Sequence, residues 1–277
     1  MSRYSLITAA IVAAYGVQAQ AAPAGTPTLG DVLAASDIAV TGYVDTSYTY
    51  LTGAGMFTSG TPNRVYDRER NSFNLHTVDI AVAHLPKDGF GAFGQLDFGS
   101  DANVTAATGS GGADEVDVQE AFLQYATGPL TVIGGKFATL AGAEVIESPS
   151  NLNFSRSILF GYAIPFTHTG VRASLALSDA LKFTAGISNG WDVLKESASE
   201  GNKTLEFGVS TAPVKDLSLN AAVYFGEEPI AAGLAATDRA LLDITATYNL
   251  SDALSFALNA DYGTQEDGAG TGDAKWI

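Results

Sequence analysis

Six side chains able to sort ions sit on or beside one stretch of this chain. Lys136, Glu144, Glu147, Arg156, His168 and Arg172 all fall within the run from Gly134 to Arg172. Selective passage of small charged solutes needs fixed charges at a narrow, wet point, carboxylates and guanidiniums facing one another; it needs no nucleophile. The spacing suggests a constriction built by residues 138–168, with these six groups lining it. Four acids on the polar faces of strands, Asp45, Asp79, Asp97 and Glu120, would line the wall. The same charges carry a second reading, in which acids and bases pair and pin the connection, because charged clusters fix structure as readily as they select ions.

Other chemistries find little support. The only histidines are His76, His84 and His168 and there is no cysteine, so neither a zinc site nor a disulfide framework is expected. No metal or cofactor is implied. Ser155 and His168 could form a nucleophile–base pair, yet the sequence supplies no placed third partner and no oxyanion motif, so the chain does not read as an enzyme. The acidic pairs Asp114-Glu115 and Glu227-Glu228 lack EF-hand spacing. Gly53-Ala54-Gly55 lacks the strand–helix context of a nucleotide loop. With 30 acidic against 14 basic residues the net charge is −16, which argues against a nucleic-acid partner.

The elements that must hold these groups are strands. From Ile38 onward apolar residues recur at every second position, as in Val40, Val44 and Tyr48, with polar residues between them. About eleven such segments follow. Short turns (Pro86-Lys87-Asp88-Gly89, Ala126-Thr127-Gly128-Pro129, Ser178-Asp179-Ala180, 212–216 and Ser251-Asp252-Ala253) alternate with connections of ten residues or more. Apolar-out, polar-in segments of this length, with short turns at one end and long loops at the other, are the pattern of an antiparallel transmembrane β-barrel. The rival fold is a secreted or periplasmic β-sandwich that binds a ligand, whose strands also alternate. Closed barrels of this class have even strand numbers, and the chain reaches Lys275-Trp276-Ile277 as a further strand would begin. The barrel therefore reads as incomplete at its C-terminus.

The N-terminus reads as an export signal over residues 1–21: Arg3, an apolar run from Leu6 to Val17, and Ala19-Gln20-Ala21 as the cleavage site. That run is too short to span a bilayer as a helix. Residues 22–37 form a lead with a short helix near Thr28–Ser36, and 38–277 the barrel. Export without cysteine fits a bacterial envelope protein.

Two runs are more specific. The segment GKFATLAGAEVIES followed by NLNFSRSILFGYAIPFTHTGVR, and the opening DVLAASDIAVTGYVDTSYTY, resemble the OmpL-like beta-barrel porin-2 family of Gram-negative outer membranes. Ser155-Arg156-Ser157 and Pro165-Phe166-Thr167-His168-Thr169-Gly170 are the sharpest part of that resemblance. It implies an outer-membrane barrel that passes ions and small hydrophilic solutes, with the lipid bilayer as its surroundings and a homo-oligomer as one allowed state. It brings no established pore residues, so the sites above rest on the residues themselves.

Overall fold

The computed structural model describes residues 7–10, 27–50, 64–109, 115–196, 201–229, 236–267 and 272–277. Eleven long antiparallel strands carry the fold: β2 (Ala39–Tyr50), β3 (Ser72–His84), β4 (Gly89–Phe98), β5 (Val116–Thr127), β6 (Leu130–Ala138), β7 (Thr167–Ser178), β8 (Leu181–Ser188), β9 (Thr204–Val214), β10 (Leu217–Pro229), β11 (Ala236–Ser251) and β12 (Leu254–Gln265). A short β13 (Ala274–Trp276) pairs with the end of β12, and β1 (Ile7–Ala10) pairs with Ser47–Tyr50 of β2. β1 lies within the export signal expected over residues 1–21. Each strand bonds to the next in sequence, in one continuous sheet whose first and last strands do not pair with each other. A single sheet replaces the two packed sheets of the sandwich alternative.

The two faces invert the usual arrangement of a water-soluble protein. Val40, Val44, Phe73, Phe90, Leu123, Phe256 and Leu258 are all exposed on the outside. On the inside Asp79, Gln95, Asp97, Asp117, Gln119, Thr184, Glu206, Asp243 and Asp261 are buried. Apolar surface on this scale is favourable only against lipid. Exposed Tyr48, Tyr50, Phe98, Phe225, Tyr248 and Tyr262 sit toward strand ends, as interfacial aromatics do. Phe137, at the end of β6, is buried instead, with the Arg172 guanidinium 4.2 Å above its ring.

Among the described strands the ladders shift register at five points, three beside the short turns and two well inside the wall. Between Asp45↔Thr77 and Thr46↔Leu75 the partner strand carries one extra residue, His76. Between Gln95↔Glu120 and Leu96↔Val118 the extra residue is Gln119. Such bulges switch which parity faces inward. As a result Val116 and Val118 share their outer face with Ala121, Leu123 and Tyr125, not with Glu120, Phe122 and Gln124 as the sequence alternation suggests.

The five short turns all lie at one end of the sheet, and the long connections lie at the other. Helix α1 (Leu29–Ser36) precedes β2 at the short-turn end. It is closed by a capping box between Thr28 and Asp31, whose carboxyl the Thr28 hydrogen bonds hold below its ordinary pKa. Helix α2 (Ala102–Thr105) lies in the β4–β5 connection and α3 (Ile158–Tyr162) in the β6–β7 connection.

Candidate functional site

The β6–β7 connection, 139–166, folds into the concave side of the sheet. Its apolar residues Ala141, Ile146, Phe160, Ala163 and Ile164 form one cluster with Ala222, Tyr224 and Leu241 from the inner faces of β10 and β11, and with Val65 and Tyr66. Polar contacts reach farther. The Leu140 N–H donates to the Tyr224 hydroxyl at 2.8 Å, and the Ala143 N–H to Asn259 Oδ1 of β12 at 2.9 Å. Gln95 Nε2 of β4 lies 3.3 Å from Glu147 Oε1. Trp276 Nε1 of β13 donates to Ala163 O at 3.1 Å. One connection thus touches strands from both flanks of the sheet.

The six charged groups of this region divide into two kinds. Lys136 is buried where the β5–β6 ladder ends, its ammonium 3.0 Å from Asp117 and 2.7 Å from Val118 O. Arg172 makes a two-pronged pair with Glu206, at 2.6 and 2.8 Å, and donates to Ala138 O. Arg156 stacks 4.3 Å from the Tyr66 ring centroid and donates to the carbonyls of Ile146 and Phe154. His168 is 1% exposed, stacked on Tyr224, with Nδ1 3.1 Å from Gly190 O. Glu144 accepts the Ser157 N–H with both oxygens, just ahead of α3. Each of these five is engaged within the protein.

Glu147 differs. It projects toward the inner wall of β3–β5, where Asp79, Asp97 and Asp117 stand side by side in register. Gln95 Nε2 donates to Asp79 Oδ2 at 2.7 Å as well as approaching Glu147. Lys136 neutralises Asp117; among the described residues no cation pairs with Asp79, Asp97 or Glu147. A space of about 370 Å³ opens between loop and wall here, lined by Tyr43, Asp79, Gln95, Glu120 and Glu147. Glu120 also accepts the Ala138 N–H at 2.8 Å. Asp45 faces inward higher on β2, half-buried. On the far flank Asp243 and Asp261 are register partners on β11 and β12, again with no cation among the described residues.

Two features fix the loop root. Gly135 sits at φ +141° where a Cβ would collide with Ala121 O, so only glycine lets β5 and β6 approach this closely. At the other end, Asp192 in the β8–β9 connection accepts the N–H groups of Phe166 and Thr167 at 2.9 and 2.8 Å. Burial pushes its carboxyl up to about 6 even though those two N–H groups favour the anion.

A family model described as "Putative beta-barrel porin-2, OmpL-like" matches residues 37–277. The chain belongs to this family. Accordingly it is a β-barrel porin of the bacterial outer membrane, with lipid against its apolar face and solutes as its cargo. Among solved structures, a loop-deletion mutant of OmpT, an outer membrane protein of Vibrio cholerae, is similar at 14% identity and a TM-score of 0.38, over 75% of this chain and 78% of that chain. No curated protein matches.

One constellation in this porin escapes a reading of the sequence. Ser47 Oγ lies 2.7 Å from His76 Nε2, and His76 Nδ1 lies 3.0 Å from Asp101 Oδ1. The three come from β2, from the β3 bulge and from the start of α2. Nothing local in the sequence marks them, because the bulge that turns His76 inward has no residue signature. Ser155, which the sequence sets beside His168, instead donates to Asp67 at 2.9 Å.

Proposed function

We propose that this porin is a passive diffusion channel with cation preference, and that residues 138–168 set its aperture. The observation that supports this is the imbalance on the inner wall: Lys136, Arg156 and Arg172 are consumed by internal partners, whereas Asp79 and Glu147 line open space with no cation beside them among the described residues, and Asp97 stands behind Asp79 in register. Fixed charge of one sign along a narrow path concentrates counter-ions there. In this reading Glu147 is the constriction group proper, Asp79 and Asp97 form the facing wall, and Glu120 and Asp45 flank them. Lys136, Glu144, Arg156, His168 and Arg172 act indirectly by holding the loop across the lumen. Passage of ions and small hydrophilic solutes then needs no chemistry at any of these side chains, so the transport role is not enzymatic. Residues 1–21 are removed on export, 22–37 lead into the wall, and 38–277 belong to it.

The test is single-channel conductance of the full gene product, refolded into a planar bilayer under a salt gradient. Discrete steps with a reversal potential toward the cation equilibrium value are the expected result, and Glu147→Gln should move that potential toward zero. Silence from a barrel that resists dodecyl sulfate unfolding, or unchanged anion-directed selectivity, would overturn the reading.

A further inference from the structure

The geometry points to a serine-nucleophile site for hydrolysis of small carboxylic esters at the long-loop end of the lumen, built by Ser47, His76 and Asp101. A nucleophile–base–orienter chain needs hydrogen-bond contact at both joints, and 2.7 and 3.0 Å both lie in that range. The order of atoms also fits. Asp101 sits on Nδ1, so the proton resides there and Nε2 is left to accept the Ser47 hydroxyl proton. All three side chains are buried, which keeps the carboxylate–imidazole contact out of bulk water. Asp101 is held in turn: its N–H donates to His76 O at 3.0 Å, tying α2 to the bulge.

A donor for the developing oxyanion stands on the same face. Asn74 is the register partner of Ser47, and its Nδ2 lies 3.4 Å from His76 Nε2 and 2.9 Å from Ser100 Oγ. Phe154 of the inward connection lies edge-on to His76, 5.2 Å between ring centroids, and shields the site. Because Ser47 faces the lumen rather than the lipid, the substrate class is a water-soluble ester small enough to enter the channel, not a bilayer lipid.

The step balances without any cofactor. Ser47 Oγ bonds to the ester carbonyl carbon while its proton passes to His76 Nε2. The C–O bond to the alcohol then breaks, and the alcohol leaves with that proton. Water, deprotonated by the same nitrogen, cleaves the acyl–serine bond and releases the carboxylic acid. Asp101 stays ionised throughout.

The test treats the refolded porin in detergent with diisopropyl fluorophosphate and with p-nitrophenyl acetate. A single phosphoryl adduct mapped to Ser47 and turnover above background are expected. Ser47→Ala should lose the adduct, and His76→Gln should lower turnover about a hundredfold, the scale of a lost general base. Asp101→Asn keeps the shape of the chain and should also lower turnover. Each protein is scored for single-channel steps in parallel, so failure here is distinct from failure of the transport reading. An intact channel that takes no adduct, or one still labelled and active as Ser47→Ala, would show that the three residues only tie β2 to α2.

Discussion

Two parts of the inner surface carry the same residue types to opposite ends. At the root of the inward connection, Arg172 meets Glu206, Lys136 meets Asp117, and Arg156 is surrounded by carbonyls. Between the connection and the β3–β4 wall, Asp79 and Glu147 line open space and share only the Gln95 amide. Charge at the root is a fastener; charge on the wall is a field. The difference lies in whether an opposite charge arrives from elsewhere in the chain, because a buried charge persists only when paired or hydrogen-bonded. The comparison is sharpened by breaking each side in turn.

The largest effect belongs to the root. Arg172→Ala removes one half of a two-pronged buried pair and leaves Glu206 3% exposed without its cation. Loss of one partner of such a pair costs about 3–5 kcal/mol. Urea unfolding of the micelle-bound barrel should show a midpoint lowered accordingly. Channels that still form should be noisier, because Ala138 O at the loop root loses its Arg172 donor as well. An unchanged midpoint would mean that the root is not a fastener.

A middle-sized effect comes from Asp192, which fastens the other end of the connection. Folding raises this carboxyl from the usual 3.8 to about 6 because burial outweighs the two N–H donors. Between those values the native state keeps a proton that the unfolded chain has released. Its stabilising contribution is therefore complete below pH 3.8 and is lost as pH rises to about 6, on the order of 3 kcal/mol in all. Asp192→Asn should flatten this part of the stability–pH curve. A slope of the same size in the variant would assign it to another group.

The strands and their turns were legible because a period of two survives in any strand with one wet and one greasy face. Val40, Val44, Phe90 and Leu123 announce the lipid side on their own. The bulges at His76 and Gln119 were not legible, since a single inserted residue switches facing without any composition cue. That is why plain alternation along β5 puts Val116 and Val118 on the face of Glu120, and why Ser47–His76–Asp101 has no mark in the sequence. The charged connection could be found, but its partners could not. Arg172 reaches Glu206 34 residues on, and Leu140 reaches Tyr224 84 residues on, separations at which sequence patterns say nothing about contact.

The smallest effect on stability should fall on the wall, and there it is the most informative. Asp79 and Asp97 are register partners, and two ionised carboxylates directly opposite one another would destabilise a sheet. Asp79→Asn with Asp97→Asn removes that repulsion while keeping shape, and the amides can still bond to Gln95 and to each other. The unfolding midpoint should hold or rise, by no more than about 1 kcal/mol. Selectivity should nevertheless fall, with the cation-to-anion permeability ratio dropping on the order of tenfold at low salt and much less at 1 M, where screening shortens the reach of fixed charge to about 3 Å. A stable barrel with altered selectivity would separate field from fastener within one lumen. A destabilised barrel with unaltered selectivity would put Asp79 and Asp97 on the same footing as Arg172.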